Sequence, residues 1–350
     1  MSTYNTTLLK LAREQKGMTQ SALADQLEVK QALLSKYENG GVVPPTPMQQ
    51  KIADILGYPI SFFLQDQNEI PTGLVFHRKR SSLPAGVRLR IEAEVRARSM
   101  DIIKLFRFRG LRSNVIPRDG REPEEMARAI REYWNVPSGP IDNLTELLEK
   151  NNIVVLLFDF KTDKLDGFFM PIPGGIISIA INANSAFSHD RRRHTLAHEC
   201  GHALLGHCED FPNPKCEEEA ELFAAELLMP RNNISNELIP PLTIMRLREL
   251  KSKWKVSMGS LLYRAHKLGT IKESAYRRMW MFFSSQGFRK NEPDCGIPEE
   301  KPNLLNVLIK DFASCSQDVL GELFLTQDRF HERYPDIKLE GQSMMTPITM

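Results

Sequence analysis

Apolar and polar residues recur with a helical period over most of this chain. Leu8, Leu11 and Ala12 mark one face of a first helix. Thr19 can cap a second helix that begins Gln20-Ser21-Ala22-Leu23-Ala24. A break at Leu27-Glu28 leads to a third, from about Lys30 to Asn39, ended by Gly40-Gly41. Met48 to Leu56 and Pro59 to Leu64 complete a five-helix module. A long helix is predicted from Arg88 to Phe108, and a strand from Ile176 to Ile181 that could pair at its edge with an extended peptide. The run HTLAHECGHALLG predicts a helix closing at Gly206. In residues 216–230, Phe223, Leu227 and Leu228 recur at helical spacing until Pro230 stops the pattern. Asn291 to Pro302 is rich in Pro, Glu and Lys and is predicted as a linker. Leu304 to Phe324 reads as an amphipathic helix, and the last residues, EGQSMMTPITM, as loosely ordered. Many helices and few strands make the expected class α+β, mostly helical.

Composition adds limits to this pattern. At 350 residues, two or three domains are expected. No apolar run approaches the twenty residues of a membrane span, and MSTYNTTLLKLAREQ has no signal-peptide core. Five cysteines with no C-x-x-C pair argue for a reducing cytoplasm. Cys208 and Cys216 could be a redox pair or rival metal ligands, but are expected to be free thiols, as is Cys200. The net charge is +2, unevenly spread. Residues 78–112 hold eleven Lys or Arg against three Asp or Glu, a net +8, whereas residues 1–64 hold six against five. The basic stretch could contact phosphates or could be a solvated face against an acidic body.

The candidate chemistry begins at His198-Glu199-Cys200-Gly201-His202. Positions four apart share a helix face, so His198 and His202 can offer two imidazoles to one metal ion. Zinc suits imidazole nitrogen and keeps three protein ligands plus a water in catalytic sites. Glu199 beside the first ligand can reach that water as general base. The third ligand is expected from the next helix, and Glu219, one turn before Phe223, is the candidate. Glu217 and Glu218 read as a solvated acidic first turn. His189, His194 and His207 are expected at the surface or behind the ligands, although imidazole can also stabilise an oxyanion.

The stretches RRRHTLAHECGHALLGH and EEEAELFAAELLMP, with residues near them from about 115 to 290, resemble the ImmA/IrrE-type zinc metallopeptidases. The resemblance implies Zn2+ held by His198, His202 and Glu219, with Glu199 as the catalytic glutamate. The chain departs from that family at His194, usually aromatic, and at Glu221, commonly asparagine. Residues 9–40 resemble the phage-repressor helix-turn-helix. That resemblance implies double-stranded DNA as partner and the third helix in the major groove, with Lys30, Gln31 and Lys36 exposed. Gln31 would read adenine and Gln20 would meet a phosphate. Here Glu28 replaces the usual turn glycine.

The implied organisation is a helix-turn-helix domain (1–65), a basic linker and helix (66–112), a zincin-like body with a small sheet (113–240), a helical extension (241–290) and a tail with one helix (291–350). The expected function is a cytoplasmic, homodimeric DNA-binding regulator whose zinc endopeptidase cleaves one specific repressor or antitoxin-like protein. The alternative is a non-proteolytic repressor or antitoxin whose zincin fold senses or binds a partner.

Overall fold

The computed structural model describes residues 4–66, 83–136, 138–207, 213–289 and 291–339. It begins with α1 (Thr6–Gln15), where the Asn5 side chain accepts from the amides of Thr7 and Leu8. Next come α2 (Gln20–Leu27), capped by Thr19, and α3 (Gln31–Glu38). Then follow α4 (Thr46–Leu56) and a 3₁₀ turn (Ile60–Leu64). Leu8, Leu23, Leu34, Ile52 and Phe63 are all buried in this five-piece head. Between α2 and α3, Glu28 takes the left-handed conformation (φ 61°) that glycine adopts more easily. Buried Arg13 donates to Glu38 at 2.5 Å and ties α1 to α3.

Most of the basic stretch becomes α5 (Ala85–Arg109), whose apolar side is an internal spine, while Arg78, Lys79 and Arg80 lie outside the described residues. Ile91, Val95, Ile102, Leu105 and Phe106 are buried in a core shared with the head. Arg90, Arg96 and Arg98 are half-buried, their stems covered by neighbours, whereas Arg88, Arg107 and Arg109 are exposed. Arg90 donates to the Phe160 carbonyl at 2.8 Å. Arg98 pairs with Glu94 at 2.6 Å and lies over the Phe158 ring. Charge density alone could not reveal this, because long cationic side chains leave a packed helix as readily as a solvated one.

The body follows with α6 (Pro123–Tyr133), α7 (Leu144–Lys150), β1 (Val154–Phe158), β2 (Gly167–Ile172) and β3 (Ile176–Asn182). The sheet order is β1-β3-β2, with β1 parallel and β2 antiparallel to β3. β3, the strand whose place in the sheet the sequence left open, is therefore central, and β1 and β2 form the edges. Residues alternate across the sheet as the pleat requires. Val154, Leu156, Phe168 and Met170 face the α5 side, while Val155, Phe169, Ile179 and Ile181 face the body.

Over that second face lie α8 (His189–Leu204), α9 (Pro214–Leu228), the short α10 (Arg231–Ile234), α11 (Ile244–Trp254), α12 (Met258–Lys267) and α13 (Glu273–Ser285). The helices expected as an extension share this core through Leu247, Trp254, Leu261 and Phe283. α8 and α9 cross closely at Gly201. A Cβ there would lie 3.0 Å from the Phe223 ring and 3.2 Å from the Ala220 carbonyl.

The chain then returns. Residues 291–303 are anchored along the body. Glu292 accepts from Lys251 Nζ at 2.8 Å and from the Met258 and Gly259 amides at 2.7 and 2.9 Å. Glu300 pairs with Arg193. Glu149 of α7 accepts from the Asn303 amide at 2.8 Å. The single helix expected from Leu304 to Phe324 is two, α14 (Leu304–Cys315) and α15 (Val319–Leu323), because Asp318 starts a new turn by capping the Gly321 amide. A last helix, α16 (Gln327–Arg333), reaches back to the head. Arg329 donates to the Leu56 carbonyl at 2.9 Å, and Arg333 to the Tyr58 hydroxyl at 2.7 Å and to Asp101 at 2.6 Å. Cys208 and EGQSMMTPITM lie outside the described residues. Among the described residues, no helix is long and apolar enough to cross a membrane.

Candidate metal centre

The fold turns one face of α8 toward the start of α9. His198 Nε2 and His202 Nε2 lie 3.0 Å apart. Glu217, in the first turn of α9, brings one carboxylate oxygen to 3.5 Å from His198 Nε2 and the other to 3.6 Å from His202 Nε2. These three residues form the one group among the described residues whose ligand atoms could hold a metal ion together. Zinc–nitrogen bonds of 2.0–2.1 Å at tetrahedral angles separate two ligand atoms by about 3.3 Å. Edges of 3.0, 3.5 and 3.6 Å therefore suit a small divalent cation. The donor set, two imidazoles and a carboxylate, suits zinc.

Glu219 is not in this group. Its Oε2 lies 3.1 Å from His207 Nε2 and accepts from Arg118 at 3.0 Å. The reason is the way the helices cross. The stripe of α9 that carries Phe223 packs onto Gly201, and the side that meets the His face carries Glu217 and Glu221. Glu218, as expected, reaches outward and pairs with Lys267 at 3.3 Å.

Glu221, noted in the sequence only as a departure, has a place here. Its Oε2 is 3.6 Å from His198 Nδ1 and its Oε1 is 3.1 Å from His194 Nε2. Burial works against its charge, yet His194 and His198 hold its carboxyl well below the usual range. Burial likewise disfavours a charged His198, but the Glu217 and Glu221 carboxylates that accept from its ring outweigh it and raise its pKa to about 9. The carboxylates thus favour positive charge at this point. The i, i+4 spacing of Glu217 and Glu221 was the sequence signal that could have found this face.

Glu199 is buried next to the pair, and its Oε2 accepts from the Phe169 amide of β2 at 3.1 Å. The Phe169 ring lies nearly parallel to that of His202, 6.3 Å away. Edge strand β2 thus steadies both residues. His207 is buried behind His202, with the two Nδ1 atoms 3.0 Å apart. Burial lowers its pKa despite Glu219. His189 and His194 line a cleft of about 800 Å³ beside the centre, walled by Tyr263, Tyr276 and Trp280. Cys200 is a buried free thiol, its pKa pushed far up by burial, and Cys216 is also buried.

In the head, Lys30, Gln31 and Lys36 are exposed around α3, and Gln20 is half-buried at the start of α2. Gln31 donates to Gln20 Oε1 at 2.7 Å, and Gln20 donates to Glu38 at 2.8 Å. The Gln20 amide is thus held between Gln31 and buried Glu38.

Comparison with known families agrees with both halves. Residues 9–63 match the helix-turn-helix family, and residues 148–266 match the IrrE N-terminal-like domain, a peptidase family. The chain is a helix-turn-helix domain fused to an ImmA/IrrE-type domain. No curated protein matches it.

Proposed function

We propose that this chain, a helix-turn-helix head on a metallopeptidase-like body, is a DNA-binding regulator that cleaves one specific regulatory protein. The observation that carries the reading is the convergence of His198, His202 and Glu217 with Glu199 beside them. His198, His202 and Glu217 would hold zinc, with Glu199 as general base. Zinc, when bound, polarises a carbonyl and makes a water acidic near neutrality. Glu199 takes the proton of the attacking water and passes it to the leaving amine. Glu221 orients His198 through Nδ1. An extended substrate can align along the edge occupied by β2, next to Glu199, with side chains entering the cleft beside His194. The narrow substrate, a repressor or antitoxin-like protein, comes from the family resemblance. In the head, Gln31 reads base edges, Lys30 and Lys36 lie along the backbone, and Gln20 meets a phosphate, as a homodimer on two half-sites.

Glu199→Gln tests the reading, because it keeps shape and hydrogen bonding but cannot take a proton. Co-expressed with the proteins encoded beside it, the wild type should cleave one of them and the variant none, with zinc and DNA binding unchanged. Full complementation by the variant in the cell would move the body to the second reading, a sensor that does not cut.

A further inference from the structure

The chain of groups behind His202, buried at His207 and half-buried at Glu219, is unused by the proposed reaction. The His202 ring exposes two polar atoms to its surroundings. Nε2 faces His198 and Glu217, and Nδ1 lies 3.0 Å from His207 Nδ1. His207 Nε2 in turn lies 3.1 Å from Glu219 Oε2. Glu219 is held by Arg118 at 3.0 Å and by Lys215 at 3.5 Å.

We propose that His207 and Glu219 are positioning residues that orient His202 toward the metal. The proposal rests on the reading of His198, His202 and Glu217 as zinc ligands. A ring that offers the Nε2 lone pair to a metal carries its proton on Nδ1. His202 then donates to His207 Nδ1, so the His207 proton is on Nε2, where Glu219 accepts it. This single assignment satisfies every atom of the chain. The reversed one turns the His207 Nε2 lone pair onto a carboxylate and leaves a proton where the metal would bind. Each histidine ligand therefore has its own carboxylate from α9. Glu221 serves His198 directly, and Glu219 serves His202 through His207. Arg118, from the segment before α6, offsets the second charge and fixes its place.

The test titrates zinc into the metal-free full-length protein against a competing chelator. His207→Ala should weaken zinc binding by about 10–100-fold, the usual effect of losing such a partner. Glu219→Gln should weaken it by about tenfold, and should shift the visible absorption of the cobalt-loaded protein while leaving the metal-free melting temperature unchanged. Glu219→Gln also decides the matter should His207→Ala fail to fold. Wild-type affinity and cobalt spectrum in Glu219→Gln would overturn the relay, and so would complete loss of binding, which would make Glu219 a ligand. His198→Ala is the control on the underlying reading. Retention of wild-type zinc affinity there would mean that the ligand assignment had failed, not the relay alone.

Discussion

Glu217 and Glu219 are two positions apart, which on an α-helix turns a side chain by about 200°. That turn separates an atom facing two imidazoles from one facing Arg118 and His207. The two histidines and Glu199 were legible in the sequence because one helix fixes their relation. Which carboxylate of α9 faces them was not, because it depends on how α9 meets α8, which Gly201 and Phe223 decide. Glu217→Ala should abolish zinc binding and Glu218→Ala leave it at about one ion per chain, as measured by metal analysis after dialysis. A second residue-scale effect lies at Glu149. Burial raises its pKa from 4.5 to about 7, although the Asn303 amide favours the charged form. A carboxyl whose folded pKa is raised contributes stability that is full below about pH 4.5 and lost as pH rises through about 7. Glu149→Gln should therefore flatten the pH dependence of denaturant unfolding across that window. At pH 8 it should be the more stable form, by on the order of 1–3 kcal/mol.

At the scale of elements, the head follows its sequence closely, since caps and apolar spacing define α1 to α4 one at a time. α5 shows the opposite case. Its extent was readable, but its partners were not, because the head, the sheet and α14 approach it from different sides of the chain. β3 was likewise recognisable as a strand, while its central position follows from the two strands that flank it. Arg90 and Arg98 of α5 are engaged internally, and base discrimination is expected of α3. Gln31→Ala should cost about 1–3 kcal/mol for the preferred operator. It should leave binding to random duplex almost unchanged, as measured by titration at two salt concentrations. An equal loss on both duplexes would remove Gln31 from base reading.

At the scale of the molecule, residues 291–339 close the structure. Apolar residues of α14 to α16, among them Leu308, Ile309, Phe312 and Phe330, complete the core around α5. Arg333 joins Asp101 of the spine to Tyr58 of the head, and Tyr58 continues the network to Gln15 at 2.5 Å. None of this was readable from the tail, whose helices bury their faces only against residues far earlier in the chain. A chain ending at residue 303 should melt at lower temperature. It should also lose amide-exchange protection along α5 and at Leu56 to Tyr58, while the α8–α9 crossing keeps its own. Equal loss everywhere would mean that the two cores unfold as one.

The contacts that seat the head join residues 269, 273 and 275 positions apart. During translation the head emerges well before the segment that makes these contacts. A nascent chain therefore carries a head supported by α5 but without these contacts until α16 is made, and a transcript cut short before α14 encodes a head that lacks the Thr326, Arg329 and Arg333 contacts altogether.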